Sequence, residues 1–235
     1  MAEEGVRLYA FGDIHGCRAE LDRLLDAVDA DDARRGPART MLIFLGDVVD
    51  RGPDSAGVVE RLMELSRTRT AVRFLKGNHE ELFLQALDGE KEALRVFCRV
   101  GGRETIMSYG VDEQEYNALD YDDLAVRLET LVPASHRAFI ERFEDMVQSG
   151  DYAFVHAGIR PEVPLEDQRG ADLRWIRSAF IDYRRAHPKV IVHGHTISEE
   201  VDRQPNRIGI DTGAFRTGRL TALGIEGADT WTLQS

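Results

Sequence analysis

The chain has 235 residues and a formal net charge of −12, with 43% hydrophobic and 31% charged residues, an ordinary composition for a folded protein. That charge argues against nonspecific nucleic-acid binding and against anionic membranes, both of which need a basic face. Two cysteines far apart, Cys17 and Cys98, exclude a disulfide framework and a thiolate metal cluster.

No apolar run approaches the roughly 20 residues of a membrane span. The opening residues, Met1-Ala2-Glu3-Glu4-Gly5, lack the basic and apolar regions of a secretion signal. The expectation is a cytoplasmic protein with no membrane partner.

Val6 to Phe11 reads as a strand that delivers Asp13 and His15 into the loop Gly12-Asp13-Ile14-His15-Gly16. Leu21, Leu24, Leu25 and Val28 then fall on one face of a helix. Gly36-Pro37 breaks the chain before a second apolar run, Met41 to Leu45, which ends at Gly46-Asp47-Val48-Val49-Asp50-Arg51-Gly52. Pro53-Asp54-Ser55 supplies the start signal for a helix whose apolar face is Val58, Leu62 and Leu65. Ala71 to Lys76 is a third strand, leading to Gly77-Asn78-His79-Glu80. Strands and helices alternating at this spacing predict a β-α-β-α-β unit with parallel strands.

From Glu80 to about Ser149 the pattern turns helical. We expect a single domain over residues 1–235 with a helical insert or cap at 81–149. Tyr152 to Val155 resumes the strands and ends at His156-Ala157-Gly158; Val190 to Val192 ends at His193-Gly194-His195-Thr196. The last third reads as short antiparallel strands joined by turns.

If the five strand ends converge, they collect Asp13, His15, Asp47, Asn78, His156 and His195. A mixed carboxylate, amide and imidazole set suits Mn²⁺, Fe or Zn²⁺ better than an all-oxygen Mg²⁺ or Ca²⁺ site. Two ions could share Asp47, with a water between them as nucleophile for in-line attack on a phosphoryl group. Arg51 would hold phosphate oxygens through its planar fork. His79 would protonate the leaving oxygen, with Asp50 orienting its imidazole. Each motif alone is weak; five in succession, holding five of the seven histidines, point to function. Glu80 and Glu81 read as capping or solvated residues of the third helix, His136 and His187 as surface residues, and Cys17 as packing. His193 reads as a neighbour of the ligands or as a packed core histidine.

The ordered motifs GDIHG, GDVVDRG, GNHE, HAG and HGHT resemble the signature of the phosphoprotein phosphatase family of binuclear metallophosphoesterases. The resemblance runs from Asp13 to Thr196. It implies an α/β, calcineurin-like fold of two packed mixed sheets flanked by helices, and two divalent ions, Mn²⁺ first. It implies Asp13, His15 and Asp47 at one metal and Asp47, Asn78, His156 and His195 at the other. Trp175-Ile176-Arg177 matches the family's second phosphate-binding arginine, which selects Arg177 over Arg174. Asp211-Thr212-Gly213 resembles a family segment near the site but receives no role.

The first function expected is a phosphomonoesterase, a serine/threonine protein phosphatase of bacterial type acting on phosphoprotein. The alternative is a symmetrical dinucleoside tetraphosphatase, whose members tend to lack the aspartate kept here as Asp50. A catalytically silent scaffold would show damaged motifs, and none is damaged. Oligomeric state is not legible in the sequence.

Overall fold

The computed structural model describes residues 1–235. In the first strand, β1 (Val6–Phe11), every residue is buried, yet successive side chains enter different layers. Leu8 and Ala10 join one apolar cluster while Tyr9 and Phe11 join another, as the two-residue period of a strand requires. β2 (Arg39–Phe44) and β3 (Val72–Phe74) extend β1 in parallel, with Phe11 opposite Phe44 and Phe44 opposite Phe74. The connecting helices α1 (Arg18–Arg35) and α2 (Ser55–Thr68) bury the apolar faces expected of them. Asp54 caps α2 by accepting the Gly57 N–H at 2.8 Å, which satisfies one of the donors a helix start leaves open.

The next strands are β4 (Met146–Ser149), β5 (Tyr152–Val155), β6 (Val190–His193), β7 (Asp202–Arg203), β8 (Arg207–Gly209), β9 (Thr221–Glu226) and β10 (Asp229–Gln234). They complete two five-stranded mixed sheets, ordered β10-β9-β1-β2-β3 and β4-β5-β6-β8-β7. The sheets pack through Leu8, Ala10, Ile43, Leu75, Phe154, Val192 and Leu223, all fully buried. Truncating a residue such as Leu8 to Ala in this layer costs about 2–5 kcal/mol, transfer and cavity terms together. This is the expected arrangement, two mixed sheets between helices.

After α3 (Asn78–Leu87) come α4 (Lys91–Phe97), α5 (Arg103–Ser108), α6 (Glu113–Ala118), α7 (Tyr121–Leu131) and α8 (Ala134–Glu141). Their apolar residues, among them Phe97, Ile106, Leu128 and Ile140, join the same cluster as Phe44 and Phe74 on the outer face of the first sheet. The helices stop at Glu141, short of the expected 149, and Met146–Ser149 is instead the edge strand β4. The last third also differs from its expected all-antiparallel pattern. β8 runs parallel to β6 in the second sheet, while β9 and β10 cross to the first. No helix is long and apolar enough to cross a membrane.

Candidate metal centre

The parallel strands β1, β2, β3, β5 and β6 end on one side, and the five motifs follow those ends. The loops lock together through backbone bonds: the N–H groups of Ile14 and His15 both donate to the Asp47 carbonyl, at 3.1 and 2.8 Å. Six non-glycine residues adopt left-handed backbone, and five are His15, Asp47, Asp50, Arg51 and His195. Such conformations cost of order 1–3 kcal/mol each and persist where the surroundings over-determine them. Gly77 is required by close approach, since a Cβ there would lie 2.1 Å from Asp47 Oδ1.

Asp47 stands between two tight groups, His15–Asp47–His79 and Asp47–His156–His195, each with its ligand atoms within 4.8 Å of one another and all buried. Asp47 Oδ2 faces His15 Nε2 at 3.6 Å, and Oδ1 faces His156 Nε2 at 3.4 Å. Burial alone would raise the Asp47 carboxyl, but the surrounding imidazoles of His156, His79, His15 and His195 outweigh it and hold it below the carboxylate range. Burial pushes His15 down to about 3 and lowers His156 as well.

The ring tautomers follow from the hydrogen bonds. His15 Nδ1 donates to the Val49 carbonyl and His156 Nδ1 to the Leu45 carbonyl, both at 2.8 Å. Each neutral ring therefore turns a lone pair at Nε2 into the centre. His156 Nε2 lies 3.0 Å from Asn78 Oδ1, so two acceptors face each other, and His195 Nε2 is buried with no partner. On the side of His156, Asn78 and His195, converging acceptors with no donor among them are what a cation would satisfy, and the ligand set fits a divalent metal.

Asp13 lies outside both tight groups. Its oxygens accept the His195 backbone N–H at 3.2 and 3.1 Å. His79 takes the place beside His15 and Asp47, its Nδ1 bonded to Asp50 Oδ2 at 2.6 Å. Arg51 reaches across both rings, donating from Nη1 to His15 Nε2 and from Nη2 to His79 Nε2, each at 2.9 Å. His15 Nε2 cannot serve the guanidinium and a cation at once. Arg177 is exposed and free of ion pairs, and its charge reaches His156 and His195. Arg174 instead pairs with Glu81 and Asp145, at 3.6 and 3.5 Å.

His136 and His187 differ from their expected surface places, whereas Glu80 caps α3 and His193 is packed, as expected. Glu80 is fully buried, and its carboxylate accepts the N–H groups of Gly77, Asp47 and Val48, each at 2.8 Å. It caps α3 and ties two motif loops to one side chain. Burial and the Asp47 charge push it up to about 7. His136 is buried between Tyr109 and Glu60, at 2.9 and 3.0 Å, rather than on the surface. His187 is half-buried, stacked on Phe180 and Tyr183. His193 is buried edge-on against Phe180, its Nδ1 on the Gly194 carbonyl.

Two contributors carried no sequence assignment. Thr105 Oγ1 donates to Asp50 Oδ1 at 2.7 Å and accepts the Asp50 backbone N–H at 2.8 Å. Asp211 is buried beside Asp13, and burial pushes it up to about 6. The helical segment also supplies the Gly101 carbonyl that accepts the Arg51 N–H at 2.9 Å. Gly101 has φ 120°, and a Cβ there would meet Arg51 Cγ at 2.6 Å.

A family model described as calcineurin-like phosphoesterase matches residues 6–214. The symmetrical bis(5'-nucleosyl)-tetraphosphatase of Methylococcus capsulatus is 34% identical over 66% of this chain. The chain spans only 44% of that enzyme's length. The asymmetrical bis(5'-nucleosyl)-tetraphosphatase PrpE of Anoxybacillus flavithermus is 27% identical, with 90% of this chain and 87% of the relative covered. A solved structure described provisionally as a diadenosine tetraphosphatase superposes over 100% of this chain and 96% of its own, with TM-score 0.69 and 21% identity. A cold-active protein-tyrosine phosphatase of a psychrophilic Shewanella gives TM-score 0.59 and 16% identity, with 100% and 82% covered. These two likenesses concern the fold alone.

Proposed function

The chain belongs to the calcineurin-like phosphoesterase family, and from that premise we propose that it hydrolyses dinucleoside tetraphosphates with two divalent cations, Mn²⁺ first. One observation carries the reading: the asymmetrical tetraphosphatase of Anoxybacillus flavithermus aligns with nearly the whole chain, 90% of it. The order of the two functions expected from the sequence is thereby reversed, since the relatives named here are tetraphosphatases.

Asp47, between its two imidazole groups, would be the shared ligand, with His15 and Asp13 on one side and Asn78, His156 and His195 on the other. Cations held there supply positive charge against phosphoryl oxygens and the acidity that makes water a nucleophile at neutral pH. Arg51 and Arg177 would grip the phosphate chain, bidentate contacts being the guanidinium's strength. His79 would hold a proton at Nε2 for the leaving oxygen while Asp50 fixes Nδ1. The helical segment 81–141 would act as the cap, through the contacts of Gly101 and Thr105.

The Asp50–His79 pair supports a second reading, a phosphomonoesterase acting on phosphoprotein. An alkoxide leaving group needs a proton, whereas a nucleotide phosphate departs readily without one. The test is kcat/KM on diadenosine tetraphosphate against a phosphoserine peptide, with Mn²⁺. A preference of about tenfold or more for the tetraphosphate supports the first reading; the reverse preference overturns it. Products distinguish the cleavage position, two ADP for symmetrical and ATP with AMP for asymmetrical.

A further inference from the structure

Of the six large hydrophobic side chains left exposed, Phe215 is the one seated against the candidate centre. Its ring centroid lies 5.4 Å from that of His15, with the planes at 85°, and the Arg51 guanidinium carbon sits 4.9 Å from the same centroid. It nonetheless remains 36% exposed. Burial therefore does not hold it; a braced turn does. Ala214–Thr217 is a single helical turn between Gly213 and Gly218, both left-handed at φ 67°. The N–H groups of Arg216 and Thr217 both donate to the Gly213 carbonyl at 2.9 Å, and Thr217 Oγ1 bonds the Thr212 carbonyl at 3.0 Å. Ala214 is buried, anchoring the turn.

A ring left 36% exposed, with a guanidinium suited to phosphate over one face, matches a ligand that is itself flat at one end and anionic at the other. We infer that Phe215 is the platform on which a nucleobase of the substrate stacks while its phosphate chain runs to Arg51. This rests on the tetraphosphatase reading and makes Phe215 a specificity residue of that site. A ring is required because an aliphatic side chain would cover His15 equally well but offer no π-face. Stacking of this kind tolerates any base, so the platform selects nucleotides as a class over base-free phosphates.

The test is calorimetric binding, with Mn²⁺ present, of three compounds the enzyme cannot cleave. They are adenosine 5'-(α,β-methylene)diphosphate, methylenediphosphonate and phenylphosphonate. Wild type should bind the adenosine compound roughly tenfold more tightly than methylenediphosphonate, the size of one base–aromatic stack. Phe215→Leu keeps apolar bulk and should erase most of that preference; Phe215→Trp should keep it. Equal binding of the adenosine and base-free compounds by wild type overturns the platform. So does a preference that survives in Phe215→Leu, or a loss confined to phenylphosphonate, which would assign the ring to aryl phosphates. Diadenosine tetraphosphate turnover is measured alongside. Turnover with no adenosine preference sinks the platform alone, and an adenosine preference lost in Phe215→Leu but without turnover sinks the hydrolase reading alone.

Discussion

The Asp50 carboxylate accepts the Nδ1 hydrogen of His79 at 2.6 Å, with neither side chain more than 1% exposed. Burial works against a charge on His79, but Asp47 and Asp50 outweigh it and raise its affinity for a proton. At the other ring nitrogen the Arg51 donor claims the lone pair, so delivering a proton from Nε2 requires the guanidinium to let go. Asp50→Asn removes the charge that favours the imidazolium while keeping a similar shape. The kcat on a phosphoserine peptide should fall about 100-fold or more, the usual scale of general acid catalysis. On p-nitrophenyl phosphate and diadenosine tetraphosphate, whose leaving groups are weak bases, the loss should stay below about tenfold. Equal losses on all three substrates would assign Asp50 to structure rather than proton transfer.

Thr105 orients that carboxylate from α5. Its hydroxyl gives a hydrogen to Asp50 Oδ1, and Ser55 Oγ lies 2.9 Å away to share the Asp50 backbone N–H. Thr105→Val keeps the shape and deletes the hydroxyl, so it should cost about 1–3 kcal/mol, the range for leaving a buried polar group short of a partner. Phosphoserine turnover should drop more than p-nitrophenyl phosphate turnover, in a smaller version of the Asp50→Asn pattern. Thr105→Ser should recover both. Urea denaturation and kcat on the two substrates check the prediction.

The strand ends were legible because the period-two and 3.6-residue patterns are local, and the glycine–acid motifs sit directly after apolar runs. Helix α2 could be placed from Val58, Leu62, Leu65 and the Asp54 cap for the same reason. Thr105 could not be found this way, since nothing in Arg103–Ser108 distinguishes it from any helix residue until Asp50 arrives from 55 positions away. His136 reads as surface because its partners, Tyr109 and Glu60, lie 27 and 76 positions distant. Asp211 did follow a strand and precede a glycine, the pattern of the other ligand loops, and that was the available signal. The direction of β8 depends on which strand it pairs with, and local sequence does not record pairing.

Glu80 binds two loops with one carboxylate, so its charge state matters to both. Glu80→Gln would turn an amide N–H₂ toward backbone donors, placing donor against donor at Asp47, Val48 or Gly77. We expect a loss of about 2–4 kcal/mol, several weakened charge-assisted bonds at once. Mn²⁺ affinity should fall about 10-fold or more, the effect typical of residues that orient metal ligands. Thermal denaturation without metal, with calorimetric Mn²⁺ titration, separates the two effects. Unchanged stability and affinity would show that the loops hold their shape without Glu80.

Acid stability should depend on Asp31, far from the centre. Its Oδ2 accepts Tyr9 OH, Trp231 Nε1 and Arg35 Nε, each at 2.8 Å, and Arg35 also lies over the Trp231 ring. Burial would raise the Asp31 carboxyl, but the bonds from Arg35, Tyr9 and Trp231 outweigh it and hold it below its ordinary value. A depressed carboxyl contributes stability that is present above its unfolded pKa, about 3.9, and is lost as pH falls through the folded value. Asp31→Ala should therefore cost about 2–4 kcal/mol at pH 7, because the Tyr9 hydroxyl and Trp231 N–H lose their acceptor. The gap between wild type and variant should narrow below pH 4. Urea midpoints at pH 7 and pH 3 measure it, and a gap that widens in acid would contradict this sign.

Asp47 is the only carboxylate common to both ligand groups, and its two oxygens face opposite imidazoles. Asp47→Asn keeps an oxygen for one side but puts an amide toward the other, where a second cation would need an anionic donor. The variant should lose at least one of two bound ions per chain and nearly all turnover on p-nitrophenyl phosphate, although its fold has a neutral isostere at the same place. Metal content by elemental analysis and circular dichroism on the same sample keep loss of metal distinct from loss of fold. Wild-type enzyme stripped by a chelator should lose activity and regain it with Mn²⁺, whereas stripped Asp47→Asn should not. Near-normal turnover of the variant with two ions bound would mean that the carboxylate is not shared, and would leave Asp47 as a buried polar neighbour of four imidazoles.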